Sequence, residues 1–82
     1  MKIVWDELKR QQNLAKHHMD FADLTPEFFE TAHIETAKQN RFLAVGELAG
    51  VALIAVVFRP LGSQALSLIS MRRASKSERS KP

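Results

Sequence analysis

From Arg41 to Arg72 the chain is dominated by three apolar runs, RFLAVGEL, VALIAVVFR and QALSLISMR, separated by Ala49-Gly50 and by Pro60-Leu61-Gly62-Ser63. Aliphatic and β-branched runs of this length, bounded by turn residues, predict three strands. Connections this short allow only antiparallel neighbours, because a parallel pair needs a crossover of about a dozen residues or more. The three runs therefore predict a meander. Val51 to Phe58 is apolar at odd and even positions alike, so wetting either face costs free energy. That run is expected to be the central strand, covered on one face by helices and on the other by a partner or by the C-terminal segment.

The first half of the chain has a different texture. Lys2 to Val4 suits a short opening strand. Asp6 is a suitable N-cap for ELKRQQNLAK, a run of good helix formers, which predicts a helix over about 6–17. Trp5, Leu8 and Ala15 mark its expected packed side, with Lys9, Arg10, Gln12, Asn13 and Lys16 turned to solvent or a partner. FADL reads as a short connector, and Thr25-Pro26-Glu27 offers a capping hydroxyl before a proline at the first helical position, so a second helix is expected over about 26–31. Near the end, Ser75-Lys76-Ser77-Glu78 is a capping box and starts a last, short helix. The expected architecture is α+β, one small domain over 1–82: N-terminal helices, an antiparallel meander and a short C-terminal helix.

Composition narrows the functions open to such a domain. The chain has 82 residues and no cysteine, which excludes a disulfide framework and a thiolate zinc site and suits a reducing compartment, the cytoplasm by default. MKIVWDELKR lacks the long apolar core of a secretory signal. The longest unbroken apolar stretch, Leu48 to Phe58, has 11 residues, well short of the about 20 needed to span a bilayer; no membrane association is expected. None of the three glycines falls at the spacing of a phosphate-binding loop. His17, His18 and His33 have no HExxH or thiolate companions, and adjacent histidines point to different sides of a helix, so neither a metal nor another cofactor is expected.

Net charge is +3, and after position 70 Arg72, Arg73, Lys76, Arg79 and Lys81 oppose Glu78 alone. That skew suits a polyanionic partner. Cations accompanied by an imidazole and a carboxylate are an inventory that metal-independent RNA cleavage uses. The 2′-hydroxyl attacks its neighbouring phosphate, a base takes its proton, an acid protonates the leaving oxygen, and cations hold the charge of the transition state. Histidine suits the proton steps and arginine the phosphate oxygens. Basic residues near a sheet more often form a surface that binds RNA without cutting it.

Trp5-Asp6-Glu7, Lys9, Asn13, Lys16-His17 and Phe21 resemble the WDxxKxxxNxxKHxxxF opening of the BrnT family, toxins of bacterial type II toxin–antitoxin pairs. Ile69-Ser70-Met71-Arg72-Arg73-Ala74-Ser75-Lys76-Ser77-Glu78-Arg79 is similar to the family's ISxRxAxxxER close. Both motifs stand in the right order, at opposite ends of the chain. The resemblance implies a RelE-like α+β fold and a ribonuclease that needs no metal and blocks translation. It also implies a BrnA-like antitoxin that neutralises the toxin in a hetero-oligomer and reaches operator DNA on the toxin's behalf.

The same resemblance picks out His17, Arg59, Arg72 and Glu78 as catalytic, and Lys9, Lys16 and Arg79 as RNA-binding. In that assignment His17 is general acid or base, Arg59 and Arg72 are phosphate clamps, and Glu78 is a proton acceptor or the partner in the capping box. Two positions depart from the family. His18 stands where a glycine usually ends the first helix, and is expected to adopt the same left-handed backbone. Ser67 stands where a basic residue is usual, which makes a catalytically weak or inactive antitoxin- and RNA-binding module the alternative.

Overall fold

A computed structural model describes residues 1–50 and 52–80. Val51, the first residue of the expected central strand, and Lys81 of the cationic tail lie outside the described residues. Along the chain come β1 (Lys2–Trp5), α1 (Glu7–His17), a 3-10 turn (Phe21–Asp23), α2 (Pro26–Thr31), β2 (His33–Thr36), β3 (Phe42–Leu48), β4 (Ala52–Leu61), β5 (Ala65–Arg73) and α3 (Lys76–Arg79). The strands form one sheet in the order β1-β5-β4-β3-β2. β3, β4 and β5 pair antiparallel with β4 in the centre, as the apolar runs predict.

Two features correct the expected three-strand antiparallel meander. β2, with the sequence HIET, adds a fourth antiparallel strand on the outer side of β3. It is an edge strand, exposed at His33, Ile34 and Thr36, so no apolar run announces it. The opening strand β1 pairs with β5 in parallel, Lys2 to Trp5 against Ala65 to Leu68. The sheet is therefore mixed. Short connections exclude parallel pairing only between successive strands, and nearly the whole chain lies between these two.

One face of the sheet carries the main core. Ala44, Ile54, Val56, Phe58, Leu66, Leu68 and Met71 meet Phe21, Leu24 and Phe28 from the helical segment, with Ile3 and Trp5 of β1 packed alongside. Phe21, Ile54, Val56 and Met71 are wholly buried, each worth about 1.5–3 kcal/mol of apolar burial. Gly46 stands opposite Ile54 on this face. A Cβ there would lie 3.1 Å from Ala32 Cβ and 3.2 Å from Phe28 Cε1, so the missing side chain is what lets α2 close against β3. On the opposite face Val45, Ala55 and Ala74 form a smaller cluster with Leu43. The C-terminal segment thus covers part of the second face of the central strand.

Helix α1 does not pack as its apolar residues suggest. Leu8 is 61% exposed and Ala15 is exposed, whereas Asn13 is buried. The cause lies in β5. Its edge is covered by β1 only as far as Leu68, which leaves backbone polar groups unpaired beyond that point. Asn13 supplies the missing partners: Met71 N–H donates to Asn13 Oδ1 at 3.0 Å, and Asn13 Nδ2 donates to the carbonyls of Met71 at 2.9 Å and Met19 at 3.0 Å. A buried N–H or C=O left without a partner costs about 1–3 kcal/mol, so an amide is worth more there than an aliphatic side chain. Asp6 does cap α1, accepting from Leu8 N–H at 2.8 Å. Thr25 makes no side-chain cap to α2, contrary to expectation. The Glu27 carboxyl is held below the ordinary range by its own backbone N–H first and by the Thr25 side chain second.

Candidate functional site

The face of the sheet away from the main core carries Arg59 on β4 and Ser67, Ser70 and Arg72 on β5, and a β-bulge arranges it. Along β4 and β5 the pairing runs Val57 with Ser70 and then Phe58 with Leu68, which leaves Ile69 as an extra residue. Before the bulge Leu66 and Leu68 face the core; after it Met71 does. Ser67, Ser70 and Arg72 consequently share the outer face, opposite Arg59, Val57 and Ala55 respectively. In a regular strand Ser70 and Arg72 would point into the core and Met71 out of it.

The last turns of α1 lie beside this bulge. Lys9, Gln12, Asn13, Lys16 and His17 line a shallow hollow of about 190 Å³ together with Ile69 and Ser70. Arg72 follows Ser70 two residues along the same strand, about 7 Å away on an extended backbone. His17 and Ser70 thus line one hollow from distant parts of the sequence, and Arg72 stands two residues beyond Ser70 on the same face of β5. His17 does not close its helix. That bond comes from His18, whose backbone N–H donates to the Leu14 carbonyl at 3.0 Å with φ at 58°. His18 has the left-handed conformation expected of it.

Arg72 is held on the outer face by Glu78. Its Nη1 and Nη2 donate to the two carboxylate oxygens at 2.7 and 2.9 Å, and Nη1 also reaches the Arg73 carbonyl at 3.3 Å. Glu78 simultaneously completes the capping box of α3. Ser75 N–H donates to Oε1 at 2.8 Å, and Glu78 N–H donates back to Ser75 Oγ at 3.3 Å. The Arg72 guanidinium above all, then the Ser75 N–H, hold the Glu78 carboxyl down at about 2 against burial. A carboxylate so stabilised takes up no proton near neutrality, and the arrangement suits the holding of Arg72 rather than proton acceptance.

The remaining candidates stand apart. Arg59 shares the outer face but pairs with Ser67, four residues along β4 from the position opposite Arg72, a separation of about 13 Å. Arg59 and Arg72 therefore meet different parts of any bound chain. Arg79 lines another hollow, of about 430 Å³, with Glu78, His33, Glu47 and Leu53. Among the described residues no three His, Asp or Glu side chains are grouped to hold a metal ion, and no helix is long and apolar enough to cross a membrane.

Much of the N-terminal motif is structural. Trp5 packs edge-on to Phe21 with ring centroids 6.2 Å apart, Asp6 caps α1, Asn13 clamps β5, and Glu7 pairs with Arg10 at 2.7 Å. Arg10 also grips Asp20 through Nε and Nη2 at 2.7 and 2.8 Å, fixing the turn that delivers Phe21 to the core. Of that motif Lys9, Asn13, Lys16 and His17 line the hollow, Asn13 with its amide spent on the backbone. Ser70, which is not among the sequence-derived candidates, also lines the hollow, and nothing short of the Leu66, Leu68, Met71 spacing hints at the bulge that turns it outward.

Against known proteins, a family model described as the ribonuclease toxin BrnT of type II toxin–antitoxin systems matches residues 5–78. The crystal structure of the Brucella abortus ribonuclease toxin BrnT, at 1.1 Å resolution, superposes with a TM-score of 0.88 at 58% sequence identity. The match covers 93% of this chain and 99% of that one. No curated protein sequence matches. Fold and kinship together define the class, a small α+β toxin of a type II toxin–antitoxin system. Within that class the chain belongs to the BrnT ribonuclease toxin family.

Proposed function

We propose that the chain is a cytoplasmic endoribonuclease that cuts RNA without a metal ion, arrests translation when free, and is restrained by a BrnA-like antitoxin in a hetero-oligomer. The observation that carries this reading is the junction of α1 with the bulged part of β5, where Lys9, Lys16 and His17 line one hollow with Ser70 and Arg72 stands beside it. RNA lying across the outer face has its backbone held by Lys9 and Lys16. His17 exchanges the proton of the 2′-hydroxyl or of the leaving oxygen, and Arg72 neutralises the charge gathering on the phosphorane. Arg72 spends two N–H groups on Glu78 and has others left for phosphate. Glu78 positions Arg72; Arg59 and Arg79 extend the cationic track to either side.

Growth arrest and purified-protein assays test the reading together. Expression of the wild-type chain is expected to stop growth, and the His17→Ala, Arg72→Ala double variant, equally soluble, to relieve the arrest. Cleavage of an RNA oligonucleotide is expected to persist in excess EDTA, to leave 2′,3′-cyclic phosphate ends, and to fall at least about 100-fold in the double variant. Equal arrest by both proteins would reject it.

Ser67 motivates a second reading. It faces the same surface directly opposite Arg59, so the surface lacks a second cation beside Arg59, and a binding module with little catalysis is the alternative. Tight RNA binding with no cleavage would favour that module. In either case the antitoxin is expected to cover the outer face, where Leu43 and Val57 are half-buried and Leu53 is exposed, and to carry the contact with operator DNA. Without it, the purified chain is expected to self-associate in gel filtration.

A further inference from the structure

At the far end of the sheet the β4–β5 hairpin outruns β3. Phe42, the first residue of β3, pairs with Phe58, whereas β4 continues through Arg59 and Pro60 to Leu61. The β2–β3 turn closes the other side, with Ala37 N–H bonded to the Arg41 carbonyl at 2.8 Å. The step between the two hairpins is a notch of about 500 Å³ lined by Thr36, Asn40, Arg41, Phe42, Arg59 and Pro60, with Ala37. That volume is in the range of small-ligand sites.

The chemistry of the notch is specific in kind. Two guanidinium groups line it and, among the described residues, no carboxylate does. Among the described residues neither Arg41 nor Arg59 is ion-paired. Its apolar wall is Pro60 and the half-buried Phe42, itself stacked on Phe58 at 5.8 Å. Asn40 adds an amide with both donor and acceptor, and Thr36 a hydroxyl. Guanidinium forks match phosphate oxygens, aromatic and apolar walls take the face of an unstacked base, and a carboxamide reads a base edge. An acidic peptide would use the arginines and leave the other groups idle.

We propose that this notch is a nucleotide subsite, taking one unstacked ribonucleotide with its phosphate between Arg41 and Arg59 and its base against Phe42 and Pro60 within reach of Asn40. The subsite rests on the RNA reading above and deepens it. Arg59 lies on the outer face about 13 Å along the sheet from Arg72, so the notch holds a nucleotide flanking the one that is cut and contributes sequence preference.

Titration of the full-length chain by NMR tests this, with the four ribonucleoside 5′-monophosphates, inorganic phosphate and a polyglutamate peptide as separate probes. Nucleotides are expected to shift the side-chain N–H signals of Arg41, Arg59 and Asn40, with one base bound more tightly than the others. Inorganic phosphate is expected to move the arginine signals alone. Arg41→Gln is expected to weaken nucleotide binding about tenfold, the scale of one lost charge-assisted contact, with the rest of the spectrum unchanged. Absence of the shifts, or the same pattern from phosphate or polyglutamate with no preference among bases, would overturn the proposal. A protein that shows the shifts but cuts no RNA keeps the subsite and loses the nuclease reading. One that cuts RNA without them loses the subsite.

Discussion

His18 ends α1 with φ at 58° and ψ at 32°, a conformation that costs an L-residue about 1–2 kcal/mol and glycine almost nothing. His18 is exposed, and among the described residues its side chain has no hydrogen-bond partner, so the imidazole gains nothing in return. His18→Gly is expected to stabilise the chain by about 1 kcal/mol, less the entropy that glycine adds to the unfolded state, and to raise Tm by up to about 4–8 °C in a scanning calorimeter. Asn13 is the converse case, a polar residue whose value is entirely internal. Asn13→Ala leaves the Met71 N–H and two carbonyls without partners and is expected to cost about 3 kcal/mol in urea titration. Asn13→Asp is expected to recover little, because a carboxylate keeps the acceptor for Met71 but has no donor for the carbonyls. Both residues stand in the motif region where the sequence places function. Letters that recur in a motif do not separate a caping or clamping duty from a chemical one; distances do.

At the scale of elements, α3 is four residues long and has no stability of its own. It is held by Glu78, which ties the cap to Arg72, and by Ala74, whose N–H donates to the Leu53 carbonyl at 3.1 Å. The Glu78 carboxyl falls from an ordinary 4.5 to about 2 in the folded chain, mainly through Arg72, and that of Asp20 from 3.8 to about 2, mainly through Arg10. Depressed carboxyl values favour the folded state above the unfolded-state values, and this contribution disappears as pH falls toward about 2. Stability is therefore expected to be level at neutral pH and to decline from about pH 4.5 downward. Glu78→Gln is expected to lower the plateau and make that decline shallower, which thermal melts across pH 2–7 would check. The bulge at Ile69 is the other device of this scale. One extra residue in β5 is what turns Arg72 to the outer face, where α3 can meet it.

At the scale of the whole molecule, the proposed function has RNA crossing the outer face in contact with Lys9, Lys16, Arg59 and Arg72. If four phosphates are neutralised on it, the logarithm of the RNA association constant is expected to fall with the logarithm of salt concentration with a slope of about −3, since single strands give about −0.7 per contact. Lys9→Ala is expected to reduce that slope by about 0.7 without changing preference among sequences, as fluorescence anisotropy at several salt concentrations would measure. The strands β3 to β5, both longer helices, the capping box and the left-handed end of α1 were all legible in the sequence, because hydrophobic period, turn residues and caps are local properties. So was the list of polar candidates. Three things were not. The parallel pairing of β1 with β5 joins residues about sixty positions apart. The inward turn of Asn13 answers a strand edge that exists only once β1 has stopped short. The outward turn of Ser70 and Arg72, which sets Ser70 in one hollow with His17, depends on a bulge whose phase is set by which face of β5 meets the core. Each is decided by packing between distant segments, which leaves no periodic trace in the segments themselves.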